Sequence, residues 1–123
     1  MTAERIMVVD DNLANLKLAS DILELEGYEV CRCQDAEAAL LALGHFYPSL
    51  ILMDVALPGM DGIQLTRKLK ADPKTEKITI VALTAFAMKD DKDRLLSEGF
   101  DGYITKPIEM KSFLKQVQFY LKP

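Results

Sequence analysis

Runs of hydrophobic residues recur along the chain and predict five β-strands. The segment Ile6 to Val9 is apolar throughout, as expected for a strand that is covered on both faces of a sheet. Each run is bounded by polar, glycine or proline positions, which are typical of the ends of strands. The predicted strands are residues 5–9, Tyr28 to Cys33, Leu50 to Met53, Ile78 to Leu83 and Gly102 to Ile104.

Amphipathic segments between and after the strands predict five helices. In the first, Leu13 to Glu26, the apolar residues recur at helical spacing, and Gly27 is expected to end the helix as a left-handed cap. The others are Asp35 to about Phe46, a helix after Gly62 that Asp72-Pro73 closes, Lys89 to Glu98, and a final helix. The residues predicted to face inward are Leu16, Ala19, Ile22, Leu23, Ala36, Ala39, Leu40, Leu43, Leu65, Leu69, Met110, Phe113, Leu114 and Val117.

This alternation of strands and helices predicts an α/β fold. Five strand–helix units in a row favour a doubly wound parallel sheet with helices on both faces. The chain has 123 residues and half of them are hydrophobic, which is enough for one core, so we expect a single domain over residues 1–123.

Composition narrows the classes of function. The net charge is −4 and the pI is near 5.0, which weighs against binding to nucleic acid or to an anionic membrane. No run approaches the roughly 20 apolar residues of a membrane span, and residues 1–5 contain no signal-peptide core. We therefore expect a cytoplasmic protein.

Carboxylates follow two of the predicted strands. Asp10 and Asp11 follow the first strand, and Asp54 follows the third. Because parallel strands end at one edge of a sheet, the fold should bring these residues together, and their repulsion should favour a bound cation. Oxygen ligands select hard ions, so the sequence predicts Mg²⁺, with Mn²⁺ as a close substitute.

The fourth and fifth predicted strands end at Thr84 and at Thr105-Lys106. Three carboxylates, a hydroxyl and an ammonium would then converge, a set that suits transfer of a phosphoryl group onto a carboxylate. Asp54 is the candidate nucleophile, and Lys106 would pair with phosphoryl oxygens. The metal ion would be coordinated by Asp11, by Asp10 directly or through water, and by the Ala56 carbonyl. Thr84 and Tyr103 would respond to the presence of the phosphoryl group. A cis peptide before Pro107 would fix Lys106, although cis X-Pro bonds are a minority.

These motifs resemble the receiver domain of two-component response regulators (CheY-like), including stand-alone receivers of the DivK type and the receivers of hybrid histidine kinases. The matching segments are Val9-Asp10-Asp11-Asn12, residues 53–62 around Asp54, Leu83-Thr84-Ala85 and residues 103–107. The gaps between Asp11, Asp54, Thr84 and Lys106 are 43, 30 and 22 residues. The resemblance covers the whole chain and implies a flavodoxin-like strand order 2-1-3-4-5.

The resemblance also implies a phosphorylation switch that is not a metabolic enzyme and catalyses only its own phosphorylation and dephosphorylation. A histidine kinase or histidine phosphotransfer protein would dock on the first helix around residues 13–18 and donate its phosphoryl group to Asp54, with Mg²⁺ present. A protein target would bind the face formed by the fourth helix, fifth strand and fifth helix. The chain is expected to be a monomer or a phosphorylation-dependent dimer, with no attached output domain. Ala56 and Phe86 occupy the positions that tune the phosphoryl lifetime; neither orients an attacking water, so slow self-dephosphorylation is expected.

Other interpretations remain open at this stage. Asp11 or Asn12 could simply cap the first helix. A phosphatase of the haloacid dehalogenase type also forms an aspartyl phosphate, but it carries Asp-x-Asp on the first strand and usually a cap domain. A flavodoxin needs a loop rich in Ser, Thr and Gly after the first strand, where this chain has Asp10-Asp11-Asn12. A degenerate receiver that serves only for docking would not need the acids, Thr84 and Lys106.

Overall fold

The computed structural model describes residues 4–85 and 89–121, and in these residues five strands alternate with five helices. The elements are β1 Arg5–Val9, α1 Leu13–Leu25, β2 Glu29–Cys33, α2 Ala36–Ala42, β3 Leu50–Asp54, α3 Gly62–Ala71, β4 Thr79–Thr84, α4 Lys89–Ser97, β5 Gly102–Thr105 and α5 Met110–Leu121. The alternation confirms the predicted α/β fold class.

The strands form one parallel sheet in the order β2-β1-β3-β4-β5. The chain moves to one side of β1 to form β2 and then to the other side to form β3, so the strand order reverses between β1 and β3. Ligands of open α/β sheets bind at such a reversal, outside the carboxyl ends of the strands. β1 and β3 are also the two strands that lead into the acidic residues.

Side chains of the central strands point alternately to two hydrophobic layers. Met7 and Val9 pack with residues of α2, α3 and α4 on one face of the sheet. Ile6 and Val8 pack with residues of α1 and α5 on the other face. All four of these side chains are fully buried. Burying each one stabilises the fold by about 1.5–3 kcal/mol. This stabilisation offsets the repulsion between like charges at the carboxyl edge of the sheet.

The boundaries of α1 follow the prediction closely. Asn12 is its N-cap, with the side-chain oxygen accepting a hydrogen bond from the Asn15 N–H at 3.1 Å. Gly27 has φ +92°, so it provides the left-handed conformation expected after the helix. At 13 residues, α1 is shorter than a membrane-spanning helix, and no helix in the described ranges has the length and apolar character that spanning requires.

Two helix predictions were wrong in detail. α2 ends at Ala42 and not near Phe46, because the N–H groups of Gly44 and His45 bond three residues back, to Leu41 and Ala42, and so tighten the chain into a turn. Glycine is also a poor helix former. Met110 was expected to face inward but is 47% exposed, since it is the first residue of α5 and precedes the turn that packs on the sheet.

Three strands extend to include the polar residues that were expected just after them. β3 ends at Asp54, β4 at Thr84 and β5 at Thr105. The backbone of each residue is therefore held by the sheet. This matters for the site because the strand fixes where the side chain begins.

The segment between β3 and α3 is fastened closely to the end of β3. Gly62 N–H donates to the Val55 carbonyl at 3.0 Å, and a Cβ at Gly62 would lie 2.6 Å from the Asp54 carbonyl oxygen. Asp61 caps α3 through a reciprocal pair of hydrogen bonds with Gln64, of 2.8 and 3.0 Å. A residue without a side chain at position 62 therefore lets α3 begin directly against the strand that carries Asp54.

Candidate functional site

The three predicted carboxylates meet at the carboxyl edge of the sheet. One carboxylate oxygen of each of Asp10, Asp11 and Asp54 lies within 4.8 Å of the others. Asp10 is buried directly after β1, Asp54 is half-buried at the end of β3, and Asp11 is exposed. The parallel pairing of β1 with β3 produces this proximity between residues that are distant in sequence.

Lys106 lies between two of these carboxylates. Its Nζ is 3.1 Å from Asp10 Oδ2 and 3.4 Å from Asp54 Oδ2. The backbone N–H of Lys106 donates to the Thr84 carbonyl at 2.8 Å, so the backbone of the lysine is fixed against the end of β4. The side chain is 17% exposed, so water screens these interactions less than it screens a surface ion pair.

Burial raises the pKa of the Asp10 carboxyl, and the nearby Asp54 raises it further. The backbone N–H of Asn12, 2.9 Å from Asp10 Oδ1, and the Lys106 ammonium act in the opposite direction. The raised pKa means that desolvation outweighs these favourable contacts. Keeping Asp10 ionised in the folded chain therefore lowers the free energy of unfolding at neutral pH. Asp10 is also the most deeply buried of the three carboxylates.

The donor set fits a small hard cation. Mg²⁺ takes oxygen ligands at about 2.0–2.1 Å in an octahedron, so its ligand oxygens are about 3–4 Å apart, close to the spacing of these carboxylates. One ammonium among three carboxylates leaves an excess of negative charge for a divalent ion to offset. Ala56 is exposed beside this cluster, with its N–H donating to Asp54 Oδ1 at 3.0 Å. Coordination through its carbonyl stays a prediction.

A cavity of about 240 Å³ opens next to the acidic cluster. It is lined by Asp54, Val55, Ala56, Thr84, Ala85 and Lys106. The lining thus combines a carboxylate, a buried hydroxyl-bearing residue and an ammonium in a space large enough for a phosphoryl group. These are the residues expected to contact such a group, and the fold brings them to one place.

Tyr103 and Pro107 lie on the neighbouring part of the chain. Tyr103 is half-buried in β5, and its ring faces Lys92, whose Nζ is 4.9 Å from the ring centroid. The Lys106-Pro107 peptide is cis, which the sequence allowed only as a minority case. Phe86, predicted to tune the phosphoryl lifetime, lies outside the described residues.

Two residues around the site were not predicted from the sequence: Tyr120 contacts the backbone of Tyr103, and Lys92 lies over the Tyr103 ring. Gly62 lies in the matched segment 53–62, and the structure adds its role, which is to permit the close start of α3. Lys92 belongs to a run of mixed charge, residues 89–94, which is typical of a solvated helix face, yet it is half-buried. Its contact depends on how α4 is rotated against β5, which helical periodicity in a polar segment does not reveal.

Comparison with known proteins gives a consistent result. The sequence profile of the family described as response regulator receiver domain matches residues 6–118. The polar-differentiation response regulator DivK of Brucella ovis is 40% identical over 116 residues, which cover 94% of each chain.

Solved structures are also similar. The chemotaxis response regulator CheY4 of Vibrio cholerae has a TM-score of 0.91 at 25% identity, covering 97% of this chain and 99% of that one. The receiver domain of a sensor histidine kinase from Pseudomonas aeruginosa PAO1 has a TM-score of 0.87 at 29% identity, covering 98% of each chain. That structure is described with a magnesium ion coordinated in its active site cleft.

The raised pKa of Asp10 predicts a pH-dependent gain in stability for Asp10→Asn. In EDTA at pH 7, urea unfolding should show a higher free energy of unfolding for the variant, because it lacks the buried negative charge while its amide oxygen can still accept from Asn12. An acid whose folded pKa exceeds its unfolded value binds its proton more tightly when folded, so the wild type loses stability as pH rises through these two values. The gain should therefore shrink on acidification and vanish below about pH 4, where Asp10 is protonated in both the folded and the unfolded chain.

Asp93→Asn, at an exposed position of α4, is the matched control for the loss of one negative charge. It should change the stability little at either pH. An Asp10→Asn chain that is less stable than the wild type at pH 7 would contradict this account of the buried carboxylate.

Proposed function

The chain belongs to the response regulator receiver domain family of two-component systems, and we propose that Asp54 is the residue that accepts its phosphoryl group. Receiver domains are signalling switches and receive phosphate from histidine kinases. The observation that carries the proposal is the position of Asp54, at the end of β3, beside the Lys106 ammonium and next to a cavity of about 240 Å³.

In the proposed reaction, an Asp54 carboxylate oxygen attacks the phosphorus of a phosphohistidine or of a small acyl phosphate. The new oxygen–phosphorus bond forms as the bond to the donor nitrogen or oxygen breaks, and the bonding electrons leave with the donor. Lys106 Nζ, already 3.4 Å from Asp54 Oδ2, pairs with the negative phosphoryl oxygens. The Ala56 N–H donates to Asp54 Oδ1 at 3.0 Å and so fixes the orientation of the carboxylate.

The acidic cluster gives this chemistry its dependence on a divalent ion. Mg²⁺, or Mn²⁺ in its place, would offset the repulsion between the carboxylate and the incoming phosphoryl oxygens. Its proposed ligands are Asp11, Asp54, the Ala56 carbonyl and Asp10, the last directly or through water. Lys106 pairs with Asp10 as well as with Asp54, so it is held in the site before any phosphoryl group arrives.

We propose that the aspartyl phosphate shifts the balance between two conformations of the domain. Thr84, buried at the end of β4, would donate a hydrogen bond to a phosphoryl oxygen, and Tyr103 on β5 would change its orientation in response. Pro107 follows Lys106 and shapes the loop that places the ammonium. The output surface would be formed by α4, β5 and α5.

The proposed partners are a histidine kinase or phosphotransfer protein on one side and a protein target on the other. Leu13 and Leu18 of α1 are 61% and 44% exposed, so they provide an apolar surface for the donor near the acidic cluster. Target binding would use the output surface, with the domain of residues 1–123 acting in the cytoplasm as a monomer or a phosphorylation-dependent dimer. Nucleic acid and membranes are not proposed partners, because the net charge is −4.

The two other chemistries considered from the sequence fit this site less well. The haloacid dehalogenase arrangement needs its nucleophile on the first strand, whereas the carboxylate that lines the cavity here is Asp54, at the end of β3. A flavin phosphate next to β1 would meet Asp10 and Asp11, which repel it. Phosphoryl transfer to Asp54 uses every charged group in the cluster.

Incubation with Mg²⁺ and acetyl phosphate should add one phosphoryl group to the wild-type chain, measured as intact mass. Asp54→Asn should lose the adduct because the amide is not a nucleophile, and Asp93→Asn should keep it. Lys106→Met should slow the labelling by roughly 10²-fold or more, the range found when one charge-stabilising donor is removed from a site. An adduct of equal yield on Asp54→Asn, or none on the wild type, would contradict the proposal.

The phosphorylated chain should lose its phosphoryl group slowly after acetyl phosphate is removed. Neither Ala56 nor Phe86 has an amide or carboxylate that could orient a water molecule for attack. The adduct should therefore last for minutes or longer by intact mass, and Ala56→Asn should shorten its life. A half-life of seconds for the wild type would refute this explanation of the lifetime.

A further inference from the structure

The ring of Tyr103 contacts a cation on the neighbouring helix. Lys92 Nζ of α4 is 4.9 Å from the centroid of the Tyr103 ring, within the range of a cation–π interaction. Both side chains are half-buried. The contact therefore links α4 to β5 at the one aromatic residue to which the proposed function gives a part in switching.

The backbone of Tyr103 is held separately from its ring. The Tyr120 hydroxyl donates to the Tyr103 carbonyl at 3.4 Å and accepts from the Tyr103 N–H at 3.3 Å. Gly102 allows this approach, since a Cβ there would lie 2.2 Å from the Tyr120 hydroxyl oxygen. With its backbone fixed to α5 and to β4, Tyr103 can respond to a change at the site mainly by turning its ring.

The far end of α4 is tied to the rest of the domain. Glu98, just after the helix, forms an ion pair with Arg67 of α3. Asp101 Oδ2 accepts from Lys70 Nζ of α3 and from the Ile80 N–H of β4, both at 2.8 Å. If α4 is displaced, these contacts would restrain this end more than the first turn, where Lys92 lies.

We propose that Lys92 is a positioning residue that transmits the position of α4 to the ring of Tyr103, a step that rests on the proposed phosphorylation of Asp54. The contact belongs to the arrangement in which the Asp54 carboxylate is paired with Lys106. A shift of the first turn of α4 moves the ammonium off the ring and releases it. Lys92 thereby stabilises the conformation in which Asp54 is unphosphorylated.

The contact can be measured without any phosphodonor. The chain has four tyrosines, so labelling with 3-fluorotyrosine gives four ¹⁹F signals, and the one lost in Tyr103→Phe belongs to Tyr103. In Lys92→Met, the Tyr103 signal should shift and show greater solvent exposure, seen as a larger change between H₂O and D₂O. Lys92→Arg retains the cation and should resemble the wild type, as should Lys68→Met, which removes an exposed lysine from α3.

The coupling to the site is tested by the rate of labelling with acetyl phosphate and Mg²⁺. Lys92→Met should label at least about two- to fivefold faster, because a cation–π contact contributes about 0.5–1 kcal/mol even where it is exposed, and this contact is half-buried. In a Tyr103→Leu background, where the ring is absent, the same substitution should have no further effect. Rescue by Lys92→Arg distinguishes loss of this contact from a general loss of packing in α4.

The outcomes separate the two proposals. An unchanged Tyr103 signal in Lys92→Met, or an equal acceleration of labelling with and without the Tyr103 ring, would overturn the role of Lys92. Failure of the wild type to take up phosphate would contradict the proposed function instead. The ¹⁹F comparison would still decide whether Lys92 holds the ring.

Discussion

Three carboxylates held at one edge of a parallel sheet repel one another, and the ammonium of Lys106 lies where it offsets part of that repulsion. Its contacts of 3.1 and 3.4 Å reach Asp10 and Asp54. The pKa of Asp10 is raised mainly by burial, so the site is costly to keep ionised even with this partner. The hydrophobic layers on both faces of the sheet stabilise the fold and so offset the cost of keeping these carboxylates ionised. In the proposed function, a divalent cation bound at this site offsets part of the negative charge and so favours an incoming phosphoryl group.

The same elements that build the site connect it to the surface proposed for output. Thr84 ends β4 beside the cavity, and its carbonyl accepts the hydrogen bond from the Lys106 N–H. Tyr103 lies on the next strand, two residues before Thr105, which pairs with Thr84 in the sheet. Tyr103 therefore lies only one strand away from the proposed phosphoryl position. In the proposed switch, the sheet would keep its hydrogen bonds while α4 and the Tyr103 ring change position.

The alternation of strands and helices predicted the fold class, and the resemblance to receiver domains implied the strand order. The meeting of Asp10, Asp11, Asp54 and Lys106 follows from one rule about where parallel strands end. Sequence reasoning was less accurate at the ends of helices. The turn at Gly44, which stops α2 at Ala42, depends on a local change of hydrogen bonding. It also missed contacts made by long side chains between elements. Lys92 over Tyr103 and Tyr120 on the Tyr103 backbone depend on helix rotation and on space left by Gly102, and neither leaves a periodic signal.

Mg²⁺ titration followed by unfolding tests the central claim most directly, that crowded carboxylates make this edge of the sheet a cation site. At a Mg²⁺ concentration about 100 times its dissociation constant, the wild type should gain about 2.7 kcal/mol of unfolding free energy by simple linkage. Asp54→Asn should gain clearly less at that concentration, and Glu37→Gln, at an exposed position of α2, should gain as much as the wild type. An equal gain for Asp54→Asn, or no gain for the wild type at millimolar Mg²⁺, would contradict the account.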